Sequence, residues 1–85
     1  MLWQDVAMVT VRFYAAARAA AGTSELAMEI STVQELLEQC SGMNERLAEV
    51  ISTCTFLVDG IADSNLGRNL NGAQQVDVLP KFAGG

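Results

Sequence analysis

Thr32-Val33-Gln34-Glu35 has the form of a helix-capping box, and an apolar stripe begins inside it. The Thr32 hydroxyl can accept an orphan N–H of the first turn, while Glu35 can reach back to the Thr32 N–H. Val33, Leu36, Leu37 and Cys40 then fall at i, i+3, i+4 and i+7, one face of a helix that Gly42 ends. A helix that is apolar along one stripe must lay that stripe on another element. With 85 residues there is room for one core, so the rest of the chain has to supply the matching surface.

It does so with strands on both sides of the helix. From Val6 to Tyr14 the residues alternate, Ala7, Val9, Val11 and Phe13 on one face and Met8, Thr10, Arg12 and Tyr14 on the other. The run 15–21 is almost pure Ala and closes at Gly22, which predicts a helical turn. Glu25 to Ile30 alternates again, with Leu26, Met28 and Ile30 inward, so the two strands are expected to pair across the Ala-rich connection. Leu47, Val50, Ile51 and Cys54 repeat the helical spacing after Gly42, with Glu45, Arg46 and Glu49 turned to water. Thr55 to Asp59 reads as a third strand and Asp59-Gly60 as a turn. Residues 63–75, with three Asn, two Gly and two Gln, read as loop anchored by Leu66 and Leu70. Val76 to Leu79 is the last strand, stopped by Pro80, which has no N–H to donate. Strands flanking helices in this order predict an α+β layer, a mixed sheet with one main helix across it and a second, shorter helix. The β-grasp fold satisfies that order and requires the first and last strands side by side and parallel at the sheet centre.

Composition removes most chemistry. There is no His, which excludes a Ser-His-Asp triad, His general bases and His-ligated metals. Two Cys cannot build a four-thiolate zinc site, and no metal or cofactor is expected on this chain. Five basic against ten acidic residues leave a net charge of −5, which disfavours nucleic acid and anionic membranes and suits a basic protein partner. No apolar run spans a bilayer, and the opening residues lack a signal peptide's cationic start, so the chain reads as cytoplasmic with reduced thiols. Cys40 and Cys54 close apolar helical faces and are expected in the core, inert. Glu35, Glu38, Glu45 and Glu49 are spaced as solvated helix faces. Gly22, Gly42 and Gly60 stand singly, without a phosphate-binding glycine loop.

The remaining feature is the ending Lys81-Phe82-Ala83-Gly84-Gly85, directly after a strand and Pro80. Two glycines add nothing to a core and are entropically costly to order, whereas an unbranched arm can carry a carboxylate down a narrow channel.

Together these residues carry a resemblance. Val11-Arg12-Phe13-Tyr14-Ala15-Ala16-Ala17-Arg18, Ala21-Gly22, Phe56-Leu57-Val58-Asp59-Gly60 and Val76 to Gly85 resemble the small, sulfur-carrying (MoaD-type) subunit of molybdopterin synthase, among the ubiquitin-like MoaD/ThiS sulfur carriers. The similarity spans about residues 8 to 85. It implies one β-grasp domain over residues 1–85, with 81–85 as a flexible Gly-Gly tail. It further implies a protein without catalysis of its own. An ATP-dependent adenylating enzyme of the ubiquitin-activator type, the user of the ATP, would activate the Gly85 carboxylate, and a sulfur donor protein would leave a thiocarboxylate there. The large synthase subunit, in a heterotetramer, would accept Lys81, Phe82, Ala83 and Gly84 in its channel, with Phe82 as apolar anchor. There sulfur would pass from Gly85 to cyclic pyranopterin monophosphate, building the dithiolene of molybdopterin. The alternatives are a carrier for thiamine-thiazole or cysteine biosynthesis, or a ubiquitin-like interaction module without tail chemistry. Two departures stand out. Family tails commonly have a second proline where this chain has Lys81, and Met1 to Ala7 precede the usual family start.

Overall fold

The computed structural model describes residues 8–81. Along the chain run β1 (Met8–Phe13), α1 (Ala15–Ala21), β2 (Glu25–Glu29), α2 (Val33–Ser41), α3 (Glu45–Ile51), β3 (Cys54–Val58), β4 (Ile61–Ala62) and β5 (Gln75–Pro80). The strands form one mixed sheet in the order β2-β1-β5-β3-β4. β1 and β5 lie parallel in register Val11↔Val76, while β1–β2, β3–β5 and β3–β4 are antiparallel. First and last strands are therefore neighbours, as the β-grasp order requires.

Period-two alternation decides which face is covered. Val9, Val11 and Phe13 of β1, Met28 of β2, Phe56 and Val58 of β3 and Val76 and Val78 of β5 are buried. Their helical counterparts are Ala17, Val33, Leu36, Cys40, Leu47 and Ile51, and all join one cluster. The other face stays open, with Arg12 and Glu25 paired across the strands at 3.3 Å. Both ends of that ion pair are solvated, so it is worth under about 1 kcal/mol.

Local chemistry sets the element ends. Gly22 closes α1 with φ 80°, its N–H on the Arg18 carbonyl, a conformation that suits a residue without Cβ. Gly42 closes α2 with an ordinary φ of −78°, so glycine is not conformationally required there. The capping box forms with one change. Glu35 N–H donates to Thr32 Oγ1 at 3.2 Å, but the Glu35 carboxylate accepts from Ser31 N–H at 2.7 Å rather than from Thr32.

The structure departs from the sequence reading in three places. Cys54 heads β3 instead of closing the second helix, because α3 ends at Ile51 and Ser52 caps it. A short strand that was not anticipated precedes the expected loop of residues 63–75: Ile61 and Ala62 pair with Val58 and Leu57 as β4, two residues too few to show a period. Leu66 is no core anchor, being 41% exposed, whereas Leu70 is fully buried. Leu66 holds the loop through its backbone. Its carbonyl accepts from Gln34 N–H at 2.8 Å, and the Arg68 carbonyl accepts from Val33 N–H at 3.3 Å. The loop thus satisfies two orphan donors at the start of α2.

Candidate functional site

The sheet's central strand points at the segment of interest. β5 is held on one side by β1 and on the other by β3, with Val76 and Val78 buried, Leu79 and Pro80 half-buried and Lys81 exposed. Pro80 was expected to stop the strand, yet it belongs to β5, opposite Cys54. The Val78 carbonyl accepts from Tyr14 N–H at 3.2 Å, so Val78 directs its polar groups towards β1. By alternation Pro80 faces the same way, beyond the last β1 residue, where no ladder needs its missing donor. Of the expected tail residues, Lys81 is placed at the strand's end. Phe82, Ala83, Gly84 and Gly85 lie outside the described residues.

Beside Lys81 opens a groove of about 920 Å³ between α2, the end of α3, the head of β3 and the loop after β4. Leu37, Ile51, Cys54, Phe56 and Leu66 line it, with Glu38 and Asp63 at the rim. β4 pairs only with Leu57 and Val58, and one further bond runs from Asp63 N–H to the Phe56 carbonyl. The head of β3 therefore has no neighbouring strand on that side among the described residues. Asp63 is held below the usual carboxylate range by the Asn65 N–H it accepts and by Arg68, whose guanidinium donates at 2.7 Å.

Neither thiol is built for attack. Cys40 is fully buried, and burial, with the neighbouring Cys54, pushes it up to about 11. Cys54 is half-buried on the groove wall rather than inside the core, donates its S–H to the Val50 carbonyl at 3.3 Å, and is raised by burial to about 11. The thiolate is the nucleophile, so both stay protonated and inert near neutrality. Glu35, Glu38, Glu45 and Glu49 are exposed, as their spacing predicts. Among the described residues no three His, Cys, Asp or Glu side chains gather as a metal site, and no helix is long and apolar enough to cross a membrane.

Two side chains matter more than spacing suggests. Asp59, at φ 49° before Gly60 at φ 86°, accepts Gln74 N–H and Gln75 N–H on Oδ1, each at 3.0 Å. It fastens the start of β5 to the β3–β4 turn. Tyr14 donates its hydroxyl to Asp77 at 3.4 Å on the open sheet face, where Gln75 also donates to Asp77 at 2.8 Å. The Asp59-Gly60 pair signalled the turn; nothing local signalled bonds 15 and 16 residues away. The groove lining likewise combines five segments, Lys81 among them, with no shared sequence signal.

What this arrangement provides is a braced central strand that presents Lys81 at one end of the sheet. The same architecture recurs elsewhere. The small archaeal modifier protein 1 of Methanosarcina acetivorans matches with a TM-score of 0.80 at 25% identity, over 94% of this chain and 98% of that one. Its counterpart from Haloferax volcanii gives 0.76 at 19% identity, over 93% and 100%. A chain in the complex of subunits 1 and 2 of the molybdopterin-converting factor of Helicobacter pylori gives 0.69 at 24%, over 93% and 100%. These likenesses show the ubiquitin-like β-grasp fold. No curated protein matches the sequence. The ThiS family model matches residues 11–85, from the middle of β1 through the braced last strand to the terminal glycine pair, and the chain belongs to the ThiS family.

Proposed function

We propose that this chain is the sulfur-carrying subunit of a molybdopterin synthase. One observation carries the reading: β5, braced on both sides, delivers an exposed Lys81, and the family match continues from it through Gly84 and Gly85. In this reading the Gly85 carboxylate oxygen attacks the α-phosphate of ATP on an adenylating partner, releasing pyrophosphate. A sulfur donor then displaces AMP and leaves a thiocarboxylate. The large subunit receives the tail, Lys81 to Gly84, and the Gly85 sulfur passes to cyclic pyranopterin monophosphate. The fold likeness to a chain of the Helicobacter pylori two-subunit factor supports a large-subunit partner. This chain itself supplies the carrier terminus and the docking surface; acid–base groups belong to the partners.

A second reading, a protein modifier, is favoured by the likeness to the Methanosarcina acetivorans modifier protein. The two separate in one experiment. The protein is incubated with its adenylating enzyme, ATP and a sulfide source, and its intact mass is followed. Gain of one sulfur in place of one oxygen at Gly85, consumed again on adding large subunit and pterin precursor, supports the carrier. A loaded protein that the large subunit leaves unchanged, or that becomes amide-linked to lysines of other proteins, overturns it.

A further inference from the structure

The chain has four asparagines, and the structure sets one of them apart. Asn44 is held at both ends of its amide, Oδ1 by Leu47 N–H and Nδ2 by the Ala20 carbonyl. Asn65 Oδ1 accepts from Gly67 N–H at 3.0 Å, and Asn69 Oδ1 accepts from Asn71 N–H at 2.6 Å. Asn71 is exposed, and its own side-chain amide has no hydrogen-bond partner among the described residues. The residue that follows matters as much. Asn44 precedes Glu45 at the start of α3, Asn65 precedes Leu66, and Asn69 precedes Leu70, which is buried with its N–H on the Ser31 carbonyl at 2.8 Å. Asn71 precedes Gly72. The Gly72 N–H donates to nothing among the described residues, and no heavy atom lies within 4 Å of where a Cβ would stand. Without a Cβ beside it, that nitrogen is open to the side-chain carbonyl carbon of Asn71. The pair Asp59-Gly60 differs, because the Asp59 carboxylate is already taken by Gln74 N–H and Gln75 N–H. One bond closes the turn at Asn71-Gly72, from Ala73 N–H to the Leu70 carbonyl at 2.9 Å, with Gly72 at φ 85°. Its exposed middle peptide can rotate without moving a core side chain.

We propose that Asn71 is a self-modification site, where the backbone nitrogen of Gly72 displaces the Asn71 side-chain amide. Base takes the Gly72 N–H proton and the nitrogen attacks Cγ. The new C–N bond closes a five-membered succinimide, and the Cγ–Nδ2 bond breaks as Nδ2 takes a proton from solvent and leaves as ammonia. Water then adds to either ring carbonyl and opens the ring, giving an aspartyl or an isoaspartyl residue. Both products add one negative charge to a chain of net charge −5. The isoaspartyl form also inserts a methylene into the main chain, between buried Leu70 and the Gln74 and Gln75 N–H groups that Asp59 clasps. That lengthening falls on the lead-in to β5. None of this depends on the carrier reading.

The full-length protein is incubated in native, mildly alkaline buffer, and samples are digested with trypsin and sequenced by mass spectrometry. Cleavage at Arg18, Arg46, Arg68 and Lys81 spreads the four asparagines over peptides 19–46, 47–68 and 69–81, so one digest reads them all. A freshly purified sample sets the background from digestion. Conversion at Asn71 is expected to outpace that at Asn44, Asn65 and Asn69 by about tenfold or more, as a well-placed nucleophile within the chain does. Asn71→Gln, whose longer side chain would need a six-membered ring, should abolish the product on 69–81 and leave circular dichroism unchanged. Its melting point should survive the incubation while that of the wild type falls; equal melting points at full conversion would refute the effect on β5. An Asn71 amide that lasts as long as the other three overturns the proposal. So does conversion seen only after unfolding in urea, which would mean that the turn holds Cγ out of reach of Gly72.

Discussion

Asp59 shows how much one side chain can do when its backbone is unusual. Its φ of 49°, followed by 86° at Gly60, is the two-residue hairpin turn that matches strand twist. Its carboxylate then ties Gln74 and Gln75. Asp59→Ala removes the oxygen that accepts both N–H groups and leaves a Cβ-bearing residue in the left-handed region without a side-chain partner, costing about 2 kcal/mol. Asp59→Asn keeps an acceptor and tolerates that region, so its loss should be under about 1 kcal/mol. Urea denaturation of the two variants checks this, and equal midpoints would refute it. The thiols give a pH signature. Both are raised from 9.0 to about 11, so the folded state favours the protonated thiol. Above pH 9 the unfolded chain releases these protons first. Stability contributed by the thiols is thus complete below pH 9 and lost as pH climbs to 11. A Cys40→Ala, Cys54→Ala double variant should be less stable at pH 7 yet show a flatter decline from pH 9 to 11. Parallel curves would show that the thiols are not shielded.

At the scale of elements, helix starts are where distant parts of the chain meet. The first donors of α2 go to Arg68 and Leu66 carbonyls and to Thr32 Oγ1, so a loop some 35 residues downstream completes a cap written locally. At α3, Asn44 Oδ1 accepts from Leu47 N–H at 2.7 Å while Nδ2 donates to the Ala20 carbonyl at 3.1 Å, joining α3 to the end of α1. Asn44→Ala should cost about 1–2 kcal/mol. Asn44→Asp keeps the cap but loses the donor, and should cost less. Thermal melts rank the pair; Asp as damaging as Ala would show that the cap contributes little. The capping box at Thr32 was legible because its partners are three and four residues apart. Leu66 was misread because its hold on α2 is a carbonyl, which every residue possesses. The pair Ile61 and Ala62 was missed because two residues carry no period.

For the whole molecule, the decisive prediction concerns the end of the chain. Extending the protein beyond Gly85, or deleting Gly85, should leave circular dichroism and melting unchanged, since the described core cluster runs from Val9 to Val78. The same changes should abolish ATP-dependent thiocarboxylation, because a displaced reacting group can lose about a hundredfold or more in rate. Normal loading with the extension still attached would end the carrier reading. Sequence alone determined the type and inward face of nearly every long element, and with them the parallel pairing of first and last strands. Those properties follow from side-chain period and from the few ways strands and one amphipathic helix can share a core. Only the tertiary structure decided where Cys54 sits, that a loop caps α2, that Asp59 clasps β5, and that an apolar groove opens beside Lys81. Each of these depends on contacts between residues far apart in the chain, and local spacing carries no information about a partner that only folding brings near.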